Sequence, residues 1–97
     1  MAYIIQRKQR EAAKRLGVVI VPSKDPEKKL DVYKDGKKVA SVGATGYNDY
    51  YLYLKGEKSG KYPKGYAAER RRLYKIRHAK DRRVYGSAGF YADKLLW

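Results

Sequence analysis

A chain of 97 residues with a formal net charge of +14 has room for one compact unit with a thin core, and its charge selects polyanions as partners: nucleic acid first, then anionic membrane, then acidic protein. It has no cysteine, which excludes disulfide staples and thiolate metal sites and fits a reducing compartment. The longest apolar run, GVVIV, falls far short of the ~20 residues of a membrane-spanning helix, so no membrane role is expected. MAYIIQRKQR places apolar residues ahead of basic ones, the reverse of a secretory leader, which predicts a cytosolic or nuclear location. Eleven tyrosines, against one Phe and one Trp, are more aromatic surface than a disordered basic tail carries.

In chain order, residues 5–16 read as a helix: Ile5, Gln9, Ala12 and Leu16 share one face, while Arg7, Arg10 and Lys14 line the other. Gly17 is placed to end it. VVIVP is a short strand stopped by Pro22, and SKDPEKK a polar linker. In LDVYKDGKKVASVG, Asp35-Gly36 between alternating runs is the signature of a two-residue hairpin turn. Pairing outward from Lys34 and Lys37 sets Tyr33 opposite Lys38 and Val32 opposite Val39. One face then carries Leu30, Val32 and Val39, the other Asp31, Tyr33, Lys38, Ala40 and Val42.

After a turn at GATG, Asn48 or Asp49 caps a short helix, DYYLYLK, that Gly56 ends; a strand is the other reading of that aromatic run. GEKSGKYPKG is a basic loop. A long helix follows, from Pro63 or Gly65 to about Arg82, and Ser87 caps a terminal helix with Phe90 and Trp97 on one face. These elements predict an α+β fold. A small antiparallel sheet of three strands contains the hairpin, and an N-terminal helix, one long basic helix and a short C-terminal helix flank it.

The long helix carries the strongest functional signal. Arg71, Lys75, His78 and Arg82 form one stripe at i, i+4, i+7 and i+11, with Tyr66, Leu73 and Ile76 roughly opposite, expected to face the core. A solvated outer face explains a mixed-sign stripe. This one is not mixed: residues 58–83 hold eleven Lys and Arg against two acids. Like charges one turn apart repel, so an anionic partner is expected to offset them. The candidate contacts are Arg70, Arg71, Arg72, Lys75, Arg77, His78, Lys80, Arg82 and Arg83. To these the hairpin tip adds Tyr33, Lys34, Lys37 and Lys38, on a two-stranded ribbon narrow enough for a major groove. The plainer reading of that tip is a hairpin end kept soluble by lysines. Tyr50, Tyr51 and Tyr53 read as core and half-core packing rather than as a base-stacking platform.

Catalytic signals are weak. His78 is the one histidine and sits among cations, surroundings that suit neither a triad nor a metal site. Glu27-Lys28-Lys29 has the E-x-K spacing of a nuclease core, with Asp31 or Asp49 as a further carboxylate, but that spacing is common in Lys-rich chains. No phosphate-binding glycine loop or zinc spacing occurs. The expectation is a non-enzymatic protein with no cofactor and no metal.

The order LDVYKDGKKVASVG, YNDYYLYL, AAERRRLYKIRHAKDRR, GSAGFYADKLLW resembles a family of small basic proteins of uncharacterised function encoded by large DNA viruses of algae and amoebae. The resemblance covers residues 18–97, and its more specific parts are R-x-L-Y-K-x-R-H-x-K-D-R and G-S-x-G-x-Y-A-D-K-x-L-W. It implies a viral protein at work in an infected cell, in cytoplasm or nucleus, or packaged in a virion. No activity or site residue carries over from the family. Two functions fit that setting. The first is sequence-nonspecific nucleic-acid binding, DNA before RNA. The second is a minor capsid or core component, its charge docking on acidic capsid surfaces and its tyrosines and Phe90, Leu95, Leu96 and Trp97 burying in an interface with viral structural proteins. A segment ending KLLW frays unless Trp97 is buried, in this chain's own core or in a partner.

Overall fold

The computed structural model describes residues 3–97; residues 1–2, the start of the MAYIIQRKQR stretch, lie outside the described residues. Helix α1 (Arg7–Leu16) begins two residues later than its apolar spacing suggests, because the Gln6 backbone N–H donates to Gln9 Oε1 at 2.7 Å and caps it there. Gln9, Ala12 and Ala13 form its buried face, close to the predicted one. Strands β1 (Val19–Pro22), β2 (Lys28–Lys34) and β3 (Lys37–Ala44) make an antiparallel meander in the order β1-β2-β3. The predicted linker is shorter than expected, since Lys28 and Lys29 belong to β2.

The hairpin forms as predicted around Asp35 and Gly36, whose φ values of 52° and 80° match a turn that needs two left-handed residues. Lys34 faces Lys37 and Tyr33 faces Lys38, but a bulge between Val32 and Tyr33 then shifts the register by one. Val32 therefore pairs with Ala40 and Leu30 with Val42, not Val32 with Val39. The extra residue turns Val39 to solvent and brings Ala40 and Val42 onto the core side. The sheet gains a continuous apolar face that strict alternation would have split.

That face, with Val18, Ile20, Leu30, Val32 and Val42, is covered by Ala12 and Ala13 of α1 and by Tyr91, Leu95 and Leu96 of α4 (Ala88–Leu96). Ser87 caps α4, its Oγ accepting from the Phe90 N–H at 3.2 Å. Helices α2 (Tyr50–Lys58) and α3 (Tyr66–Arg77) pack on each other. Asp49 caps α2, accepting from the Leu52 N–H at 2.9 Å. The helix then runs through Gly56 to Lys58 rather than ending at the glycine. Gly56 is buried, and a Cβ there would drive into the Tyr62 ring, so this glycine admits an aromatic neighbour instead of stopping a helix. No helix among the described residues is long and apolar enough to cross a membrane.

A buried polar chain ties the elements together. Gln9 Nε2 donates to the Leu95 carbonyl and to Tyr3 Oη, both at 3.0 Å, and Tyr3 Oη donates to Asp49 Oδ2 at 2.8 Å. Lys29 Nζ completes it, 3.0 Å from the same Asp49 oxygen and donating also to the Tyr47 carbonyl. Burial, and then the Asp49 charge, push the Tyr3 hydroxyl far above its ordinary pKa, so it remains a donor.

Candidate nucleic-acid interface

Helix α3 ends at Arg77, with His78 as its cap, and a separate 3-10 turn spans Asp81–Arg83. The predicted continuation to Arg82 is therefore corrected, and Arg82 does not share the helix stripe. On the α3 wheel Tyr66 packs inward as expected, but the other two positions differ. Ala67 and Tyr74 are buried, whereas Leu73 and Ile76, expected to face the core, are 36% and 62% exposed. The cause is aromatic. Tyr74 stacks on Trp97 at 4.3 Å and 6°, Tyr53 lies 5.5 Å from Tyr66, and Tyr62 stacks on Tyr66 at 4.6 Å. Broad rings with polar tips bury more contact surface here than one Leu and one Ile, and they set which side of α3 faces inward.

The thirteen candidate residues separate by what they touch. Lys75 Nζ lies 2.7 Å from Asp93 Oδ1, and Arg82 Nη1 lies 3.8 Å from Oδ2 of the same carboxylate, whose side chain is 1% exposed. These two cations complete a buried cluster and do not point to a ligand. Arg72 pairs with Glu69 at 2.6 Å on the surface, and this hydrogen bond holds the Glu69 carboxyl below its usual range. His78 stacks on Tyr74 at 4.3 Å, with Nδ1 3.5 Å from Asp81. Arg70 and Arg71 lie over the rings of Tyr53 and Tyr50, at 5.7 and 4.7 Å from the centroids. Such packing fixes the side-chain stem while the charged head remains at the surface. Arg77, Lys80 and Arg83 have no carboxylate within 4.0 Å among the described residues.

At the hairpin tip, Lys37 and Lys38 are exposed and Tyr33 and Lys34 half-buried. Lys34 Nζ donates to Tyr85 Oη at 3.3 Å, which joins the tip to the segment between the 3-10 turn and α4 and raises the Lys34 pKa. The tip and the stretch after α3 thus form one neighbourhood.

Two depressions concentrate charge that the sequence did not place together. A groove of about 460 Å³ runs between the start of α1 and α2, with an apolar floor of Ile4, Tyr51 and Leu54 and a rim of Arg7, Lys8, Lys55 and Lys58. Arg71 and Arg15 lie near enough to Tyr51 to oppose the upward shift that burial gives its hydroxyl. The cations of α1, α2 and α3 therefore meet around the Tyr50–Tyr51 pair. A second cleft, of about 570 Å³, opens beside Trp97, and its lining includes Arg70 and Arg77 of α3 and Tyr47 and Asn48 from the segment between β3 and α2. Lys55 and Tyr47 were missed by sequence reasoning, and Lys58 was counted in the basic stretch without being singled out as a contact. The available signals were a bare tyrosine between Gly46 and Asn48 and the i, i+4, i+7 spacing of Arg70, Tyr74 and Arg77.

The E-x-K segment has a structural role instead. Lys29 and Asp49 form the buried pair described above, while Asp31 accepts from the Ser23 and Ser41 hydroxyls at 2.7 Å each. Those hydrogen bonds hold the Asp31 carboxyl below its usual range, Ser41 contributing most.

Glu57, in the last turn of α2, positions α3. Its carboxylate accepts from the Gly65 and Ala67 N–H groups at 2.9 and 2.7 Å, which holds its pKa below the ordinary value. A depressed folded pKa contributes stability above the unfolded value near ~4, lost as pH falls through the folded one. Glu57→Gln is therefore expected to lower Tm at pH 7 and to flatten the fall in Tm between about pH 5 and 2, read by circular dichroism. An unchanged acid limb would remove Glu57 from the stability of this helix pair.

No protein-family model matches the chain, and no curated protein and no solved structure matches it.

Proposed function

We propose that this protein is a non-enzymatic nucleic-acid binder with little sequence preference, DNA being the expected polymer, working in an infected cell or a viral particle. One observation carries the reading. Among the described residues only six of the 24 Lys and Arg have a carboxylate within 4.0 Å, which leaves eighteen cations uncompensated by the chain itself. The α1–α2 groove and the adjoining Arg71 gather several of them around tyrosine rings, the combination that suits phosphates and bases. Contacts of this kind read the backbone rather than the sequence.

The reading as a docked component of a capsid or core called for a free apolar C-terminal segment. Leu95 and Leu96 are 0% and 1% exposed in this chain's own core, and Trp97 stacks on Tyr74, so these three residues are already engaged within the chain.

Fluorescence anisotropy with random duplex DNA, single-stranded DNA and RNA across ~50 to 300 mM salt tests the proposal. The expected affinity is tighter than the ordinary non-specific range of roughly 10⁻⁴–10⁻⁶ M at physiological salt, with a steep salt slope. Substituting Lys55, Lys58 and Arg71 by Ala together is expected to reduce that slope by up to ~3 × 0.9, equally for all sequences. An unchanged slope would remove the α1–α2–α3 surface from the interface.

A further inference from the structure

The cleft beside Trp97 has features that a general phosphate-binding surface does not need. Arg70 and Arg77 are two turns apart on α3, about 10 Å by helix rise, with Tyr74 between them. Neither guanidinium has a carboxylate within 4.0 Å among the described residues. The floor between them is a stack of rings, Trp97 on Tyr74 and Tyr74 on His78, both at 4.3 Å. Tyr47 also lines the cleft, and its side chain is open: the residue is 74% exposed, and no other described ring packs on it. Its backbone, in contrast, is held by the donation from buried Lys29 to the Tyr47 carbonyl.

A bare ring on an anchored backbone, in one cleft with two uncompensated guanidiniums, suits an unstacked base and its flanking phosphates. A duplex hides its base faces, so this ring can serve only a single strand. The volume of about 570 Å³ falls in the range of pockets that hold small organic ligands, enough for one nucleotide unit. We infer that the cleft is a nucleotide pocket for single-stranded nucleic acid, in which Tyr47 stacks on the base and Arg70 and Arg77 hold the phosphates on either side. This rests on the nucleic-acid reading above and assigns it a preferred strand form.

Trp97 is the one tryptophan in the chain, so its emission reports occupancy of the cleft. The whole protein is titrated at fixed salt with short oligothymidylate, thymidine monophosphate, a duplex of matched length and polyglutamate. Oligothymidylate is expected to quench Trp97 strongly and the mononucleotide weakly, while duplex and polyglutamate leave the emission unchanged. Tyr47→Ala should weaken oligothymidylate binding about tenfold, the order of one lost base stack, with duplex affinity retained. Arg77→Gln should give a second, independent loss for the single strand. Oligothymidylate that binds with constant Trp97 emission and equal affinity for Tyr47→Ala overturns the pocket and leaves the surface reading standing. Equal quenching by polyglutamate overturns it in favour of an acidic protein segment. Absence of binding to any nucleic acid at physiological salt, visible before a variant is made, overturns both.

Discussion

Asp49→Ala should lower the unfolding free energy by about 3–5 kcal/mol, the cost of removing one partner from a buried ion pair. The side chains of Lys29 and Asp49 are 5% and 1% exposed, so the remaining ammonium would stay out of water with only the Tyr47 carbonyl to accept from it. Two further losses add to this: the cap on the Leu52 N–H and the acceptor for Tyr3 Oη. A domain of this size has a total stability of about 5–15 kcal/mol, and each kcal/mol moves Tm by roughly 4–8 °C, so the variant should be marginal at 37 °C. Urea denaturation of the single and double variants isolates the cause. Adding Lys29→Met to Asp49→Ala should recover the part of the stability lost to the stranded charge, because it removes that charge and keeps an apolar stem of similar length, while the lost cap and the lost Tyr3 acceptor remain. If the second substitution costs a further amount instead, the buried charge is not what the first one exposed.

The local signals in the sequence were enough for the elements with self-contained chemistry. Asp35-Gly36 identified the hairpin, Ser87 and Asp49 the starts of two helices, and Gly17 the end of another. Features decided by distant neighbours were not legible. The bulge at Val32/Tyr33 has no composition of its own; it follows from the need to put Val42 beside Leu30 under α1 and α4. Gly56 reads as a stop until Tyr62 is known to lie against it. On α3, Leu73 and Ile76 outrank Tyr74 on any hydrophobic scale, yet Tyr74 is the one buried, because Trp97 arrives from the other end of the chain to stack on it.

The same separation governs the candidate site. Total charge is a property of composition and was plain from the outset. Which cations are free depends on carboxylates far along the chain: Asp93 lies 18 residues from Lys75, and Asp49 lies 20 from Lys29. An i, i+4 stripe drawn on a wheel therefore mixed residues already committed inside the protein with one, Arg71, that is exposed and has no carboxylate within 4.0 Å among the described residues.

Lys75→Ala combined with Arg82→Ala separates the two meanings of a basic residue in this protein. Were both phosphate contacts, the pair of substitutions would reduce the salt slope of DNA binding by up to ~2 × 0.9 and leave stability nearly unchanged. The structure favours the opposite result. Asp93 is 1% exposed and has Lys75 at 2.7 Å and Arg82 at 3.8 Å, with the more exposed Lys94 at 3.9 Å as the remaining cation. Without the first two, the carboxylate remains buried and poorly compensated, at a cost of about 3 kcal/mol, or a Tm lower by roughly 12–24 °C. A stability deficit with the salt slope unaltered would place both residues in the fold rather than the interface. A stable variant with a shallower slope would return them to the ligand.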